Sequence, residues 1–99
     1  MAGTLSQDEV ATALEALPGW EGTSEQLERV VPVQPQDADT LEDAIQAVAD
    51  EVDHHPTLER TSEGLHVVLT SHDAGGVTER DVELAARLDR LFSGGVAWN

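Results

Sequence analysis

The sequence predicts an α+β fold in the order α-β-β-α-β-β-α, a four-stranded antiparallel sheet with helices packed on one face. Three observations carry this. Apolar residues recur at helical spacing over Leu41 to Val52 and again over Leu84 to Phe92. Two other stretches read as pairs of short strands around polar turns, the pattern of hairpins. At 99 residues the chain has material for one modest core and no second. Two hairpins joined by a helix then combine most simply into one sheet. The expectation is a single domain over residues 1–99, with 93–99 a loose tail.

Taken in order, Ser6-Gln7-Asp8-Glu9 has the form of a capping box, with Ser6 capping and Glu9 reaching back. Val10, Leu14 and Leu17 follow at helical spacing until Pro18-Gly19 stops the run, which gives a first helix from about Gln7 to Leu17. Trp20 to Thr23 and Leu27 to Val33 flank a polar turn at Ser24-Glu25 and read as a strand pair. Leu27, Arg29, Val31 and Val33 share one side, and Pro32 points to a sheet edge.

Leu41, Ala44, Ile45, Val48, Ala49 and Val52 form the longest stripe. Asp39 is the expected cap, with Glu42 at the matching third position. This second helix runs from Thr40 to about Asp53 and delivers His54-His55-Pro56 at its end. Leu58 to Ser62 and Leu65 to Ser71 form a hairpin across Glu63-Gly64. Leu65, Val67 and Leu69 face one way, and His66, Val68, Thr70 and His72 the other. Asp73-Ala74-Gly75-Gly76 is a loop, and Thr78-Glu79-Arg80-Asp81 opens the third helix as a variant capping box. Leu84, Ala85, Leu88, Leu91 and Phe92 make its apolar face, and Gly94-Gly95 ends it.

Twenty acidic residues face five arginines and no lysine, for a net charge of −15. Such a surface repels phosphate backbones and anionic lipid, so direct binding to nucleic acid or to a membrane is disfavoured. The absence of cysteine excludes disulfides, thiolate chemistry and Cys-based zinc sites. No apolar run approaches the ~20 residues of a membrane span. The opening residues lack the regions of a signal peptide, so the expected location is the cytoplasm. Only Trp20, Phe92 and Trp98 are aromatic, which leaves a lean aliphatic core and makes a homo-oligomer the expectation.

Three of the four histidines sit at the ends of elements, where loops commonly carry function. Imidazole suits proton transfer near neutral pH. His54 and His55 would diverge in a regular helix, but Pro56 pushes His55 into extended geometry, so both can face one cavity. His72, at a strand end, can reach the same place. Asp50, Asp53, Asp73 and Asp81 lie close to them in sequence, and Asp50, one helical turn before His54, is placed to fix its tautomer. Two other readings stay open at this point: a polar helix terminus with histidines favoured by the helix dipole, or a three-histidine zinc site. His66, mid-strand, reads as structural.

Three segments, quoted in order, go further. They are Asp50-Glu51-Val52-Asp53-His54-His55-Pro56, Leu65-His66-Val67-Val68-Leu69-Thr70-Ser71-His72-Asp73, and Gly75-Gly76-Val77-Thr78-Glu79-Arg80-Asp81-Val82-Glu83-Leu84-Ala85. Together they resemble the pterin-4a-carbinolamine dehydratases. The shared pattern is an acid four before a His-His-Pro, a strand ending in a hydroxyl-His-acid triplet, and a Gly-Gly-x-Thr-x-x-Asp helix start. A weaker likeness extends over Leu5 to Trp20.

The resemblance implies loss of water from 4a-hydroxytetrahydropterin to give quinonoid dihydropterin, during recycling of the cofactor of aromatic amino-acid hydroxylases, with no metal or organic cofactor. It implies that His54 and His72 are the acid–base pair and that His55 holds and polarises the ring. Asp50 and Asp81 would orient the histidines, while Pro56, Ser71 and Asp73 join them around the substrate. A homodimer or homotetramer is implied as well. Some relatives act instead as binding proteins, a coactivator or an assembly factor, which is the alternative function. The chain departs from the family at positions that usually carry aromatics: Val30, Val31, Val33, Pro35 and Ser62.

Overall fold

The computed structural model describes residues 3–93. Helix α1 (Gln7–Glu15) opens with the expected capping box, the Glu9 amide donating to Ser6 Oγ at 3.1 Å and the Ser6 amide to Glu9 Oε1 at 2.8 Å. It ends two residues earlier than the spacing suggested. The amides of Ala16 and Leu17 reach back only three residues, to the carbonyls of Ala13 and Leu14, which tightens the last turn out of α-helical register.

Strands β1 (Glu21–Gly22) and β2 (Leu27–Val31) form the first hairpin, β3 (Thr57–Thr61) and β4 (Gly64–Leu69) the second. The sheet order is β1-β2-β4-β3, antiparallel throughout. β2 pairs with β4 from Leu27 opposite Leu69 to Val31 opposite Leu65, while β1 covers only Leu27 and Glu28. Past Glu28 strand β2 is therefore an outer strand, and Pro32 follows directly where its pairing ends.

Leu27, Val31, Leu65, Val67 and Leu69 share one face and are at most 4% exposed. Three helices cover that face with Val10 from α1, Leu41 and Ile45 from α2 (Ala38–Val52), and Leu84, Ala85 and Leu88 from α3 (Glu79–Ser93). Burying such aliphatic side chains at ~1.5–3 kcal/mol each is the main cohesion available to a chain with so few aromatics. The other face of the sheet carries Val30 and His66, paired across β2 and β4. His66 Nε2 lies 3.0 Å from Glu28 Oε1, and this bond holds the Glu28 carboxyl below the ordinary glutamate range.

Asp39 does not cap α2. Pro35 opens a 3₁₀ turn over Pro35–Asp37 that runs straight into the helix, because proline's fixed φ suits the first helical position. Asp39 thus falls in the first turn, where it joins Glu42 in gripping Arg60 of the outer strand β3. Arg60 Nε and Nη2 donate to Glu42 at 2.9 and 3.0 Å, which holds the Glu42 carboxyl below its ordinary range.

Similar ties fix α3. Arg29 of β2 pairs with Asp89, and its guanidinium lies 5.0 Å from the Phe92 ring centre. Trp20 Nε1 donates to the same Asp89 oxygen at 3.3 Å, and Arg87 Nη1 stands 3.6 Å from Glu51 of α2. Ser93, expected in the tail, is the last residue of α3; the rest of that tail, 94–99, lies outside the described residues. Among the described residues no helix is long and apolar enough to cross a membrane.

Candidate active site

Helix α2 ends in a Schellman turn. The Asp53 amide donates to the Asp50 carbonyl at 3.3 Å and the His54 amide to the Ala49 carbonyl at 3.2 Å. Asp53 takes the left-handed conformation this requires, at φ 53° and ψ 44°. Glycine usually fills that place, and aspartate is among the few other residues that tolerate it. The chain therefore turns at Asp53, before the histidines, rather than being forced off the helix by Pro56.

The turn directs the His54 ring inward, where its side chain is 10% exposed and Nε2 stands 2.5 Å from Asp81 Oδ1. Asp81, in the first turn of α3, is fully buried. Its second oxygen accepts from Ser71 Oγ at 2.7 Å and from the Thr78 amide at 2.9 Å. The hydroxyls of Ser71 and Thr78 are themselves 3.0 Å apart. A carboxylate removed from water needs such donors, since an unpaired one is costly to bury. With Nε2–H given to Asp81, Nδ1 is the ring atom left to take or release a proton.

His55 has a different partner from the one expected. Asp50, placed by helical spacing beside His54, instead meets His55, with Oδ1 2.7 Å from its Nε2. The left-handed residue between them breaks the i,i+4 register, so the acid finds the histidine five residues on. Both side chains are exposed, and Pro56 is half-buried before β3 begins.

His72 and Asp73 sit exposed on the loop after β4. That loop is closed by paired Ser71 and Gly76, whose amides and carbonyls exchange bonds at 3.0 and 3.2 Å. Only glycine fits at 76, because a Cβ there would lie 2.6 Å from the Ser24 carbonyl oxygen. The fold thus joins His54, Ser71 and Asp81 through side-chain bonds. Asp50 and His55 form a second pair beside them, and His72 and Asp73 follow Ser71 along the backbone. Thr78 and Arg80 also bond to residues of this cluster. The capping-box pattern around Thr78 was a usable signal, since the acid that reaches back to its amide is Asp81; for Arg80, which donates to the Asp53 carbonyl at 2.9 Å, the sequence held none. Among the described residues no group of three or more His, Cys, Asp or Glu side chains is arranged to hold a metal ion.

A family model described as pterin 4 alpha carbinolamine dehydratase matches residues 3–91. A relative from Mycolicibacterium smegmatis is 40% identical over 92 residues, covering 90% of this chain and 96% of its own. One from Aquifex aeolicus is 37% identical over 92 residues, covering 92% and 93%. Both carry the provisional name pterin-4-alpha-carbinolamine dehydratase. A crystal structure from Brucella melitensis, titled a transcriptional coactivator/pterin dehydratase, superposes with a TM-score of 0.79 at 28% identity, over 93% of this chain and 100% of that one. By sequence over nearly its whole length, and by fold, this chain belongs to the pterin 4 alpha carbinolamine dehydratase family.

Proposed function

We propose that the chain removes water from a 4a-hydroxytetrahydropterin to give the quinonoid dihydropterin. In this reaction the C4a–O bond breaks, the hydroxyl leaves as water with a proton from an imidazole, and N5 gives up its proton as its electrons form the C4a=N5 bond. Positioned acids and bases suffice for such an elimination, with no metal or organic cofactor. His54 and His72 act as the acid–base pair, and His55 holds the ring. Asp81 orients His54, and Asp50 orients His55. Pro56, Ser71 and Asp73 help line the substrate site.

The observation that supports this best is the 2.5 Å contact between His54 Nε2 and the fully buried Asp81. A carboxylate held there fixes the orientation of the ring for proton transfer. The enzyme is read as a cytoplasmic homodimer or homotetramer serving pterin recycling. The test is formation of quinonoid product from 4a-hydroxytetrahydropterin above the spontaneous rate. A second reading is a binding protein without turnover, since the name of the Brucella structure joins transcriptional coactivator to pterin dehydratase; a rate equal to the spontaneous one would favour it.

A further inference from the structure

Arg80 Nη2 donates to the Asp53 carbonyl at 2.9 Å. Asp53 is the one non-glycine residue with positive φ among the described residues. The Schellman turn uses the Ala49 and Asp50 carbonyls and leaves that of Asp53 unused. This carbonyl shares a planar peptide with the His54 amide. Arg80 grips the oxygen pole of that plane, and the Ala49 carbonyl grips the N–H pole at 3.2 Å. The next residue along α3, Asp81, then takes the His54 ring. Two consecutive side chains of one helical turn thus fix the backbone and the ring of the same histidine.

We propose that Arg80 is a positioning residue for His54. By fixing the 53–54 peptide plane it sets the direction from which the ring meets Asp81, and so where Nδ1 is presented. A lone surface arginine bound to a carbonyl contributes little to folding, so its effect belongs to geometry rather than to global stability. The kinetic consequence rests on the dehydratase reading; the geometric one does not.

The experiment compares Arg80→Met, which keeps the aliphatic stem and loses the donor, with Arg80→Lys, which keeps a donor. Arg80 is exposed, so neither change opens the core. In ¹⁵N-labelled protein, Arg80→Met should broaden or shift the His54 Nε2–H signal and speed exchange of the His54 amide, with Arg80→Lys close to the original. With 4a-hydroxytetrahydropterin as substrate, kcat of Arg80→Met should fall by about tenfold, less than the ~10²-fold that a 1 Å misplacement costs. KM should stay within about twofold, and lysine should restore most of the loss. If the unaltered chain does not turn over the pterin, the dehydratase reading falls and the His54 signals alone decide. Unchanged His54 signals in Arg80→Met overturn the proposal, and so does a lysine variant as impaired as the methionine one.

Discussion

The ring of His54 and the carboxylate of Asp81 meet at 2.5 Å across 27 residues of chain, one carried by the turn that ends α2, the other by the first turn of α3. The same carboxylate receives Ser71 from the loop after β4. Three separate segments therefore depend on one buried acid. Asp81→Asn keeps the shape but puts an amide N–H₂ where an oxygen accepted, leaving a buried donor unpaired. Stability should fall by about 2 kcal/mol, roughly 10 °C in melting temperature at this chain length. Calorimetry of the variant checks this, and an unchanged melting temperature would show that the three donors find other partners.

His54 and His72 should separate in stability as well as in chemistry. His54→Ala takes a donor from buried Asp81 and should cost about 1–2 kcal/mol. His72→Ala, at an exposed loop position, should stay within about 0.5 kcal/mol. Each ring comes from a different element and can approach the flat pterin from its own side. Each single variant should then lose about 10²–10⁴ in rate mainly for one 4a-hydroxy epimer, and the double variant should fall to the spontaneous rate for both. Stopped-flow absorbance with the separated epimers measures this; equal losses for both epimers in each single variant would leave one shared acid–base unit.

Val33 and Pro35, two of the positions that lack the usual aromatics, line a cavity of about 90 Å³ with Ala38, Arg60, Thr61, Gly64 and Leu65. Val33→Ile adds one methylene to an apolar lining, worth about 0.8 kcal/mol and roughly 3–6 °C. A thermal melt of the variant tests it, and a lower melting temperature would mean that the walls cannot accept the extra volume.

Acid unfolding should reflect Glu28. Its carboxyl is lowered first by the hydrogen bond from His66 and then by that from Gln26. A depressed carboxyl adds stability above its unfolded pKa, ~4.3 for glutamate, and the contribution is lost as pH falls through the lower folded value. Glu28→Gln should therefore flatten the acid limb of the stability–pH curve below about pH 4.3. The pair is partly exposed, so the effect is small. Urea midpoints measured from pH 3 to 7 would show it, and identical acid limbs in the two proteins would contradict it.

Periodicity made the fold legible. The stripes at Leu41–Val52 and Leu84–Phe92 became α2 and α3, and the alternation Leu65-Val67-Leu69 became the buried face of β4. Local spacing was less informative at element ends. Asp39 lost its capping place to a proline-led turn four residues upstream, and Asp50 lost His54 to a left-handed residue between them. The candidate site residues form a pattern in the sequence, but their pairing is tertiary: nothing near Asp53 in sequence announces that an arginine 27 residues later closes on its carbonyl.

Among the described residues four arginines bond within the molecule: Arg29 to Asp89, Arg60 to Asp39 and Glu42, Arg80 to the Asp53 carbonyl, and Arg87 to Glu83 and Glu51. Each acts as a rivet across elements or along a helix, at short range. The remaining carboxylates repel one another over longer distances, where water's high dielectric weakens the repulsion without removing it. Dissolved cations weaken it further, most fully between groups more than a Debye length apart, ~8 Å at physiological ionic strength. Salt, which loosens an ordinary exposed ion pair, here relieves more repulsion than attraction. The folded chain in effect borrows from the surrounding solution the lysines that its sequence never supplied.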